Sequence, residues 1–297
     1  MSLRPIHRIT ESTPTLEGAG VRLRRAFGFG DTEAYDPFLL LDDFRNDVPE
    51  HYRKGFPWHP HRGIETITYV LAGTVAHGDS LGNSGSLGAG DVQWMTAGRG
   101  IVHQEMPEGD DRGRMHGFQL WANLPSSLKM TAPRYQDIRG ADIPEVVDDD
   151  GTRVLVVCGS FWGVTGPVDG IAAEPRYLDV SVPPETRRVL SAEASGNAFA
   201  YVFEGEAAFR DASEPLPVPT EEIGEPEDRA ANRSLVLFDS GDEIVVRTGK
   251  TGVRFLLVSG RPIREPVAWR GPIVMNTEEE LRTAYRQLED GTFLETR

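Results

Sequence analysis

Two short stretches place metal-binding residue types at the spacing of a β-strand. Trp58-His59-Pro60-His61-Arg62-Gly63-Ile64-Glu65 has histidines at i and i+2, and Gly100-Ile101-Val102-His103-Gln104-Glu105 has a histidine and a glutamate at the same spacing. Side chains at i and i+2 of a strand point to one face. His59 with His61, and His103 with Glu105, are therefore two same-face pairs. If the two strands are neighbours, three imidazoles and a carboxylate meet. Such a set suits a divalent first-row ion, and positions left open on it suit iron chemistry with dioxygen. A structural zinc site would more often use thiolates, and this block has none. The ligand types alone leave the ion open among Fe2+, Zn, Mn, Ni and Cu. Glu65 shares odd parity with His59 and His61 and is a second candidate for the carboxylate, unless a bulge at Gly63 redirects it. Phe56, Trp58, Trp94, Met95 and Phe118 are candidates to line an apolar pocket for a planar ligand, although each suits a β core equally well.

The elements that must position these residues are strands. Glycine (32) and proline (21) punctuate short runs rich in Val, Ile, Thr and aromatics, such as Glu65-Thr66-Ile67-Thr68-Tyr69-Val70-Leu71. This pattern predicts an all-β chain of barrels or sandwiches. The exception is a short C-terminal helix over Glu278 to Glu289, with Thr277 as cap, Glu280 closing a capping box and Gly291 as stop. An internal echo pairs Tyr69–Val75 with Tyr201–Ala207, and Ala89-Gly90-Asp91 with Ser240-Gly241-Asp242. Two copies of one β unit are expected: residues 1–140 with the metal site, and 150–270 with an acidic, Pro-rich insertion near 211–232. A tail over 271–297 carries the helix. In the second copy the echo puts Ser191, Glu193, Asn197, Arg254 and Leu256 where the first has His59, His61, Glu65, His103 and Glu105. No metal site is expected there.

Composition narrows the functional classes. All seven histidines lie within the first 116 of 297 residues. His7, His51, His77 and His116 have no same-face partner and read as ordinary core or surface residues. The net charge of −15 repels phosphate backbones, so direct nucleic-acid binding is not expected. One cysteine, Cys158, excludes an internal disulfide framework. No run approaches the roughly 18 apolar residues of a membrane helix. The opening residues lack the apolar core of a signal peptide, and a cytoplasmic setting is expected.

Around these motifs the sequence resembles the pirins of the cupin superfamily. His59-Pro60-His61-Arg62-Gly63-Ile64-Glu65-Thr66 is similar to the family's first signature, and the run from Gly90 through Gly98-Arg99-Gly100-Ile101-Val102-His103-Gln104-Glu105-Met106-Pro107 to its second. Similarity continues through Gly117–Pro125 and resumes at Gly271–Thr277. The resemblance implies two cupin-type barrels, with iron in the N-terminal one only, held by His59, His61, His103 and Glu105. Cupins in general take their carboxylate from the first motif, where Glu65 stands. The pirin pattern favours Glu105 and leaves Glu65 as a partner or base. The resemblance further implies quercetin 2,3-dioxygenase-like activity, with a flavonol and dioxygen as substrates and Glu105 or Glu65 accepting a proton. A non-catalytic, iron-dependent redox sensor that binds a protein partner, as in transcription cofactors, is the alternative.

Overall fold

The protein is described by a computed structural model covering residues 2–209 and 228–294. It is all-β: among the described residues, only Thr32–Tyr35 and Glu278–Glu289 form α-helices. The chain divides into two compact units, one comprising residues 13–142 and 262–297, the other 1–12 and 143–261. These units differ from the sequence-based division at both termini. The opening residues join the second unit, because β1 (Ile6–Glu11) pairs antiparallel with Ser234–Phe238. The buried Arg4 anchors that strand by donating to the carbonyls of Gly241 (2.7 Å), Asp239 (3.1 Å) and Gly196 (2.7 Å). Most of the acidic insertion, residues 211–227, lies outside the described residues.

The unit that holds the histidines is built on two main antiparallel sheets, with a small hairpin, Ala268–Arg270 with Ile273–Met275, in its tail. The larger has seven strands: β2 (Thr13–Glu17), β3 (Val21–Phe27), β4 (Phe38–Asp43), β6 (Ile64–Ala72), β9 (Val92–Thr96), β11 (His116–Asn123) and β12 (Arg134–Ile138), in the order β12-β9-β6-β11-β4-β3-β2. The smaller contains β5 (Phe56–His61), β7 (Thr74–Asp79), β8 (Ser84–Leu87) and β10 (Ile101–Glu108), in the order β5-β10-β7-β8. Val21, Leu23 and Val70 of the large sheet meet Val75 and Leu87 of the small one in a common core. Gly63 makes the sharp step from β5 to β6. Its φ is +77°, and a Cβ there would lie 1.9 Å from the carbonyl oxygen of Val274, so only glycine fits.

The second unit is dominated by one large antiparallel sheet around its own apolar core, with a separate short hairpin, Ser160–Phe161 with Val164–Thr165. The sequence echo has a backbone cause. Gly73 turns the chain between β6 and β7, and Gly205 sits at a bulge in Asn197–Ala208; both adopt positive φ. The echoed positions do other work in this unit. Arg254 forms a two-bonded ion pair with Asp179, and Leu256 is fully buried.

The tail over 262–297 is held to the first unit by two buried cations. Arg62 donates to the carbonyl of Phe293 (2.8 Å) and to Gln287, and its guanidinium lies 4.0 Å above the Phe293 ring. Lys129 Nζ donates to Gly63 O (2.9 Å), Asn123 Oδ1 (2.7 Å) and Val274 O (3.0 Å). The helix Glu278–Glu289 starts at Thr277 with the expected capping box. Leu281 and Ala284 bury its apolar face beside Ile273 and Phe293. Lys129→Met would leave three buried acceptors without a donor, at a cost of about 3 kcal/mol. Limited trypsinolysis should then cut at Arg282 and Arg286 faster than in the wild type, and an unchanged rate would show that the tail is held by other contacts.

Candidate metal centre

The three motif histidines converge because β5 and β10 are hydrogen-bonded neighbours. Their register sets His61 opposite Ile101 and His59 opposite His103, and a bulge then brings Phe56 opposite Glu105. His59 and His103 are thus a directly facing pair, with His61 two residues along on the same face. Ring centroids lie 4.4 Å apart for His59–His103, 4.8 Å for His59–His61 and 4.9 Å for His61–His103. One nitrogen from each ring falls within 4.8 Å of the others.

Hydrogen bonds fix which nitrogens are available. His59 Nδ1 lies 2.9 Å from Pro57 O, and His61 Nδ1 lies 3.1 Å from Pro272 O. A carbonyl can only accept, so both Nδ1 atoms carry the proton. In neutral rings the two Nε2 atoms then bear lone pairs, yet they face each other at 3.1 Å. His103 is 0% exposed and neither of its nitrogens has a hydrogen-bond partner. Protonation is a poor way to relieve this crowding. Burial, with a contribution from neighbouring imidazoles, holds His61 and His103 well below the usual imidazole pKa, and burial lowers His59. Neutral imidazoles with converging lone pairs are what a divalent ion requires. The triad fits a metal.

Glu105 shares the His103 face of β10, but its carboxylate lies outside the cluster of converging nitrogens. Its Oε1 accepts from the Thr68 hydroxyl at 3.0 Å, and the same hydroxyl lies 2.8 Å from Gln119 Oε1. One hydroxyl proton cannot serve both acceptors. Turning the Gln119 amide gives a consistent chain in which Gln119 donates to Thr68, and Thr68 to Glu105. Burial pushes the Glu105 pKa up to about 7, with Thr68 acting in the opposite direction. His77, opposite Glu105 on β7, is buried with its ring 5.3 Å from that of His103. Sequence reasoning passed over it as a single histidine; its strand parity becomes informative only once β7 is known to flank β10.

A cavity of about 560 Å³ opens beside the triad. His59, His61 and Glu105 are among its polar lining residues, and Phe56 is the one expected aromatic among them all. Trp121 and Trp269 also line it, with Trp121 edge-on to His61 at 5.1 Å between centroids. The other expected lining residues lie outside the cavity, Trp58, Phe118 and Trp94 because of strand phase and Met95 although it pairs with Thr66 on the cavity face. Trp58 projects from the opposite face of β5 from the histidines and is 55% exposed. Phe118 is buried on the opposite face of β11 from Gln119 and Trp121. Met95 is buried in the core with Ile64, Ala97 and Ile101. Trp94 is fully buried on the opposite face of β9.

Glu65 requires the same correction. Gly63 ends β5 and starts β6 in a different sheet, so the odd parity of His59 and His61 does not carry across the turn. On β6 the cavity face is that of Thr68 and Val70, and Glu65 points the other way. Its Oε1 accepts from Thr96 at 2.7 Å, and its Oε2 is buried without a hydrogen-bond partner. Burial pushes its pKa up to about 7.

Comparison with known proteins agrees with this architecture. Residues 20–122 match the Pirin family model, and residues 177–294 match that of the Pirin C-terminal cupin domain. A pirin-like protein of Caulobacter vibrioides is 43% identical over 99% of this chain and 100% of its own. A Pseudomonas aeruginosa protein, provisionally named a quercetin 2,3-dioxygenase, is 40% identical over 97% of each chain. The crystal structure of a quercetin 2,3-dioxygenase from Acinetobacter baumannii superposes with a TM-score of 0.85 at 28% identity, covering 98% of both chains.

The Glu65 carboxyl gives a stability test that leaves the metal site intact. Its folded-state pKa lies above the ordinary carboxylate value, so the native state holds the extra proton and stability falls as pH rises from about 4.5 through 7. Glu65→Gln removes that dependence. Urea unfolding should show the variant gaining about 2 kcal/mol more over the wild type at pH 8 than at pH 5; an equal difference at both pH values would contradict the shift.

Proposed function

The chain belongs to the pirin family, and from that premise we propose that it is an iron-dependent dioxygenase acting on a flavonol-like aromatic. The observation that carries this reading is the pair of facing, proton-free Nε2 atoms of His59 and His61, with the unpartnered His103 beside them, at the wall of an apolar cavity. His59, His61 and His103 are the ligands in this reading, and Glu105, on the same face of β10, is the fourth. A divalent ion held there would supply open positions for the adjacent hydroxyl and keto oxygens of the substrate and lower the pKa of that hydroxyl.

The protein's own residues do the rest. Pro57 and Pro272 carbonyls hold the rings of His59 and His61 in the tautomer that exposes Nε2. Trp121 and Trp269 give a planar ligand aromatic surface on the tail side of the cavity, and Phe56 does so near Pro57. Thr68 steadies Glu105, the carboxylate at the cavity wall placed to take the substrate's hydroxyl proton. Dioxygen is the second substrate.

The test is anaerobic loading with Fe2+, followed by quercetin and oxygen. The wild type should bind one iron and consume oxygen as the flavonol absorbance bleaches, and His61→Ala should lose both. Iron bound at full stoichiometry with no oxygen consumption would reject the enzyme and favour a non-catalytic iron sensor. Iron retained by His61→Ala would reject the ligand assignment.

A further inference from the structure

A polar row crosses the cavity face of the seven-stranded sheet. The antiparallel register sets Arg25 opposite Asp42, Asp42 opposite Gln119, and Gln119 opposite Thr68. Four adjacent strands spaced about 4.8 Å apart put about 14 Å of sheet between the ends of this row. All four side chains line the same cavity, and Leu23, Leu40 and Phe44 make the surface around them apolar. Thr68, at one end, touches Glu105. Arg25, three strands away, marks the other.

The far end has an unbalanced set of charges. Arg25 donates through Nε and Nη2 to the two oxygens of Asp42, at 2.8 and 2.7 Å, and Nη2 also lies 2.8 Å from Glu17 Oε1. The Asp42 side chain is only 6% exposed and that of Arg25 24%. One guanidinium thus faces two carboxylates, while its Nη1 remains available as a donor. Burial lifts the Asp42 pKa to about 6, with Arg25 holding it down, so this carboxylate is ionised at neutral pH. An anionic ligand group would meet the excess negative charge. A neutral hydroxyl can both donate to a carboxylate and accept from Nη1.

We infer that Arg25 and Asp42 form a hydroxyl-selective subsite, which takes a neutral phenolic or alcoholic group on the end of the ligand remote from the histidines and rejects an anion there. The inference rests on the flavonol reading above and adds to it what the ligand must carry at its far end. A planar aromatic with a chelating edge toward the triad and hydroxyls on the remote ring matches both ends of the cavity.

The experiment uses full-length protein loaded anaerobically with Fe2+ and titrated with 3-hydroxyflavone, its 3′,4′-dihydroxy derivative and its 4′-carboxy derivative. Quenching of Trp121 and Trp269 fluorescence reads binding without turnover. The dihydroxy compound should bind about tenfold tighter than the parent, the gain of one or two added hydrogen bonds, and the carboxylate weaker than the parent. In the Arg25→Met/Asp42→Leu double variant, with folding checked by thermal melting, the dihydroxy-to-parent ratio should fall to within twofold. Equal affinities in the wild type would overturn the subsite whether or not the variant folds, and so would a ratio preserved in a folded variant. Binding without discrimination rejects the subsite alone. Failure of all three compounds to bind rejects the flavonol reading and the subsite with it.

Discussion

The structure around the triad depends on one constraint: two part-buried imidazole nitrogens that cannot both carry protons are held 3.1 Å apart. Each ring is kept in that state from behind, by the Pro57 carbonyl within β5 and by the Pro272 carbonyl from the tail. Lone pairs facing at that distance repel, and burial opposes relief by protonation. The fold must therefore spend stability elsewhere to hold the arrangement. Paired strands β5 and β10 supply that stiffness, as do the Gly63 turn and the carbonyls gathered by Arg62 and Lys129. A site assembled this way is preorganised for a cation.

How far the sequence could be read depended on whether one side of a strand betrays its phase. His59, His61 and His103 were legible because i, i+2 spacing selects a common face, and that inference stayed within β5 and within β10. It failed for Glu65 because Gly63 moves the chain into another sheet, where counting from His61 carries no information. It failed for Phe118 because β11 lies between β4 and β6 with apolar side chains on both faces. The run Phe118-Gln119-Leu120-Trp121 then shows no polarity that says which pair faces the cavity. Trp269 and Pro272 were invisible for another reason: they lie some two hundred residues from the triad in the chain, and no local pattern announces their return. The helix at Glu278–Glu289 was legible to the residue, because its cap and capping box are local hydrogen bonds.

The net charge of −15 bears little on this chemistry. The histidine rings are neutral, most of the cavity wall is apolar, and the acidic groups within it are tied to Thr68 or Arg25. The cavity instead owes its polar character to a few side chains set at defined places among apolar ones. Asp42 illustrates the difference. It adds one charge to the total like any surface aspartate, yet burial beside a single guanidinium makes it a directed acceptor inside a cavity.

Units defined by sequence similarity and units defined by packing do not share boundaries here. The C-terminal cupin match runs to residue 294, but from residue 262 onward the chain packs with the unit that contains the histidines. That segment supplies the carbonyl that orients His61, three cavity residues (Trp269, Gly271 and Pro272), and one of the three acceptors of the buried Lys129. An N-terminal fragment cut near residue 142 would keep every motif residue of the triad. It would lose the Pro272 carbonyl, freeing the His61 ring to change tautomer and turn, so the geometry of the triad belongs to the motif strands and the tail together.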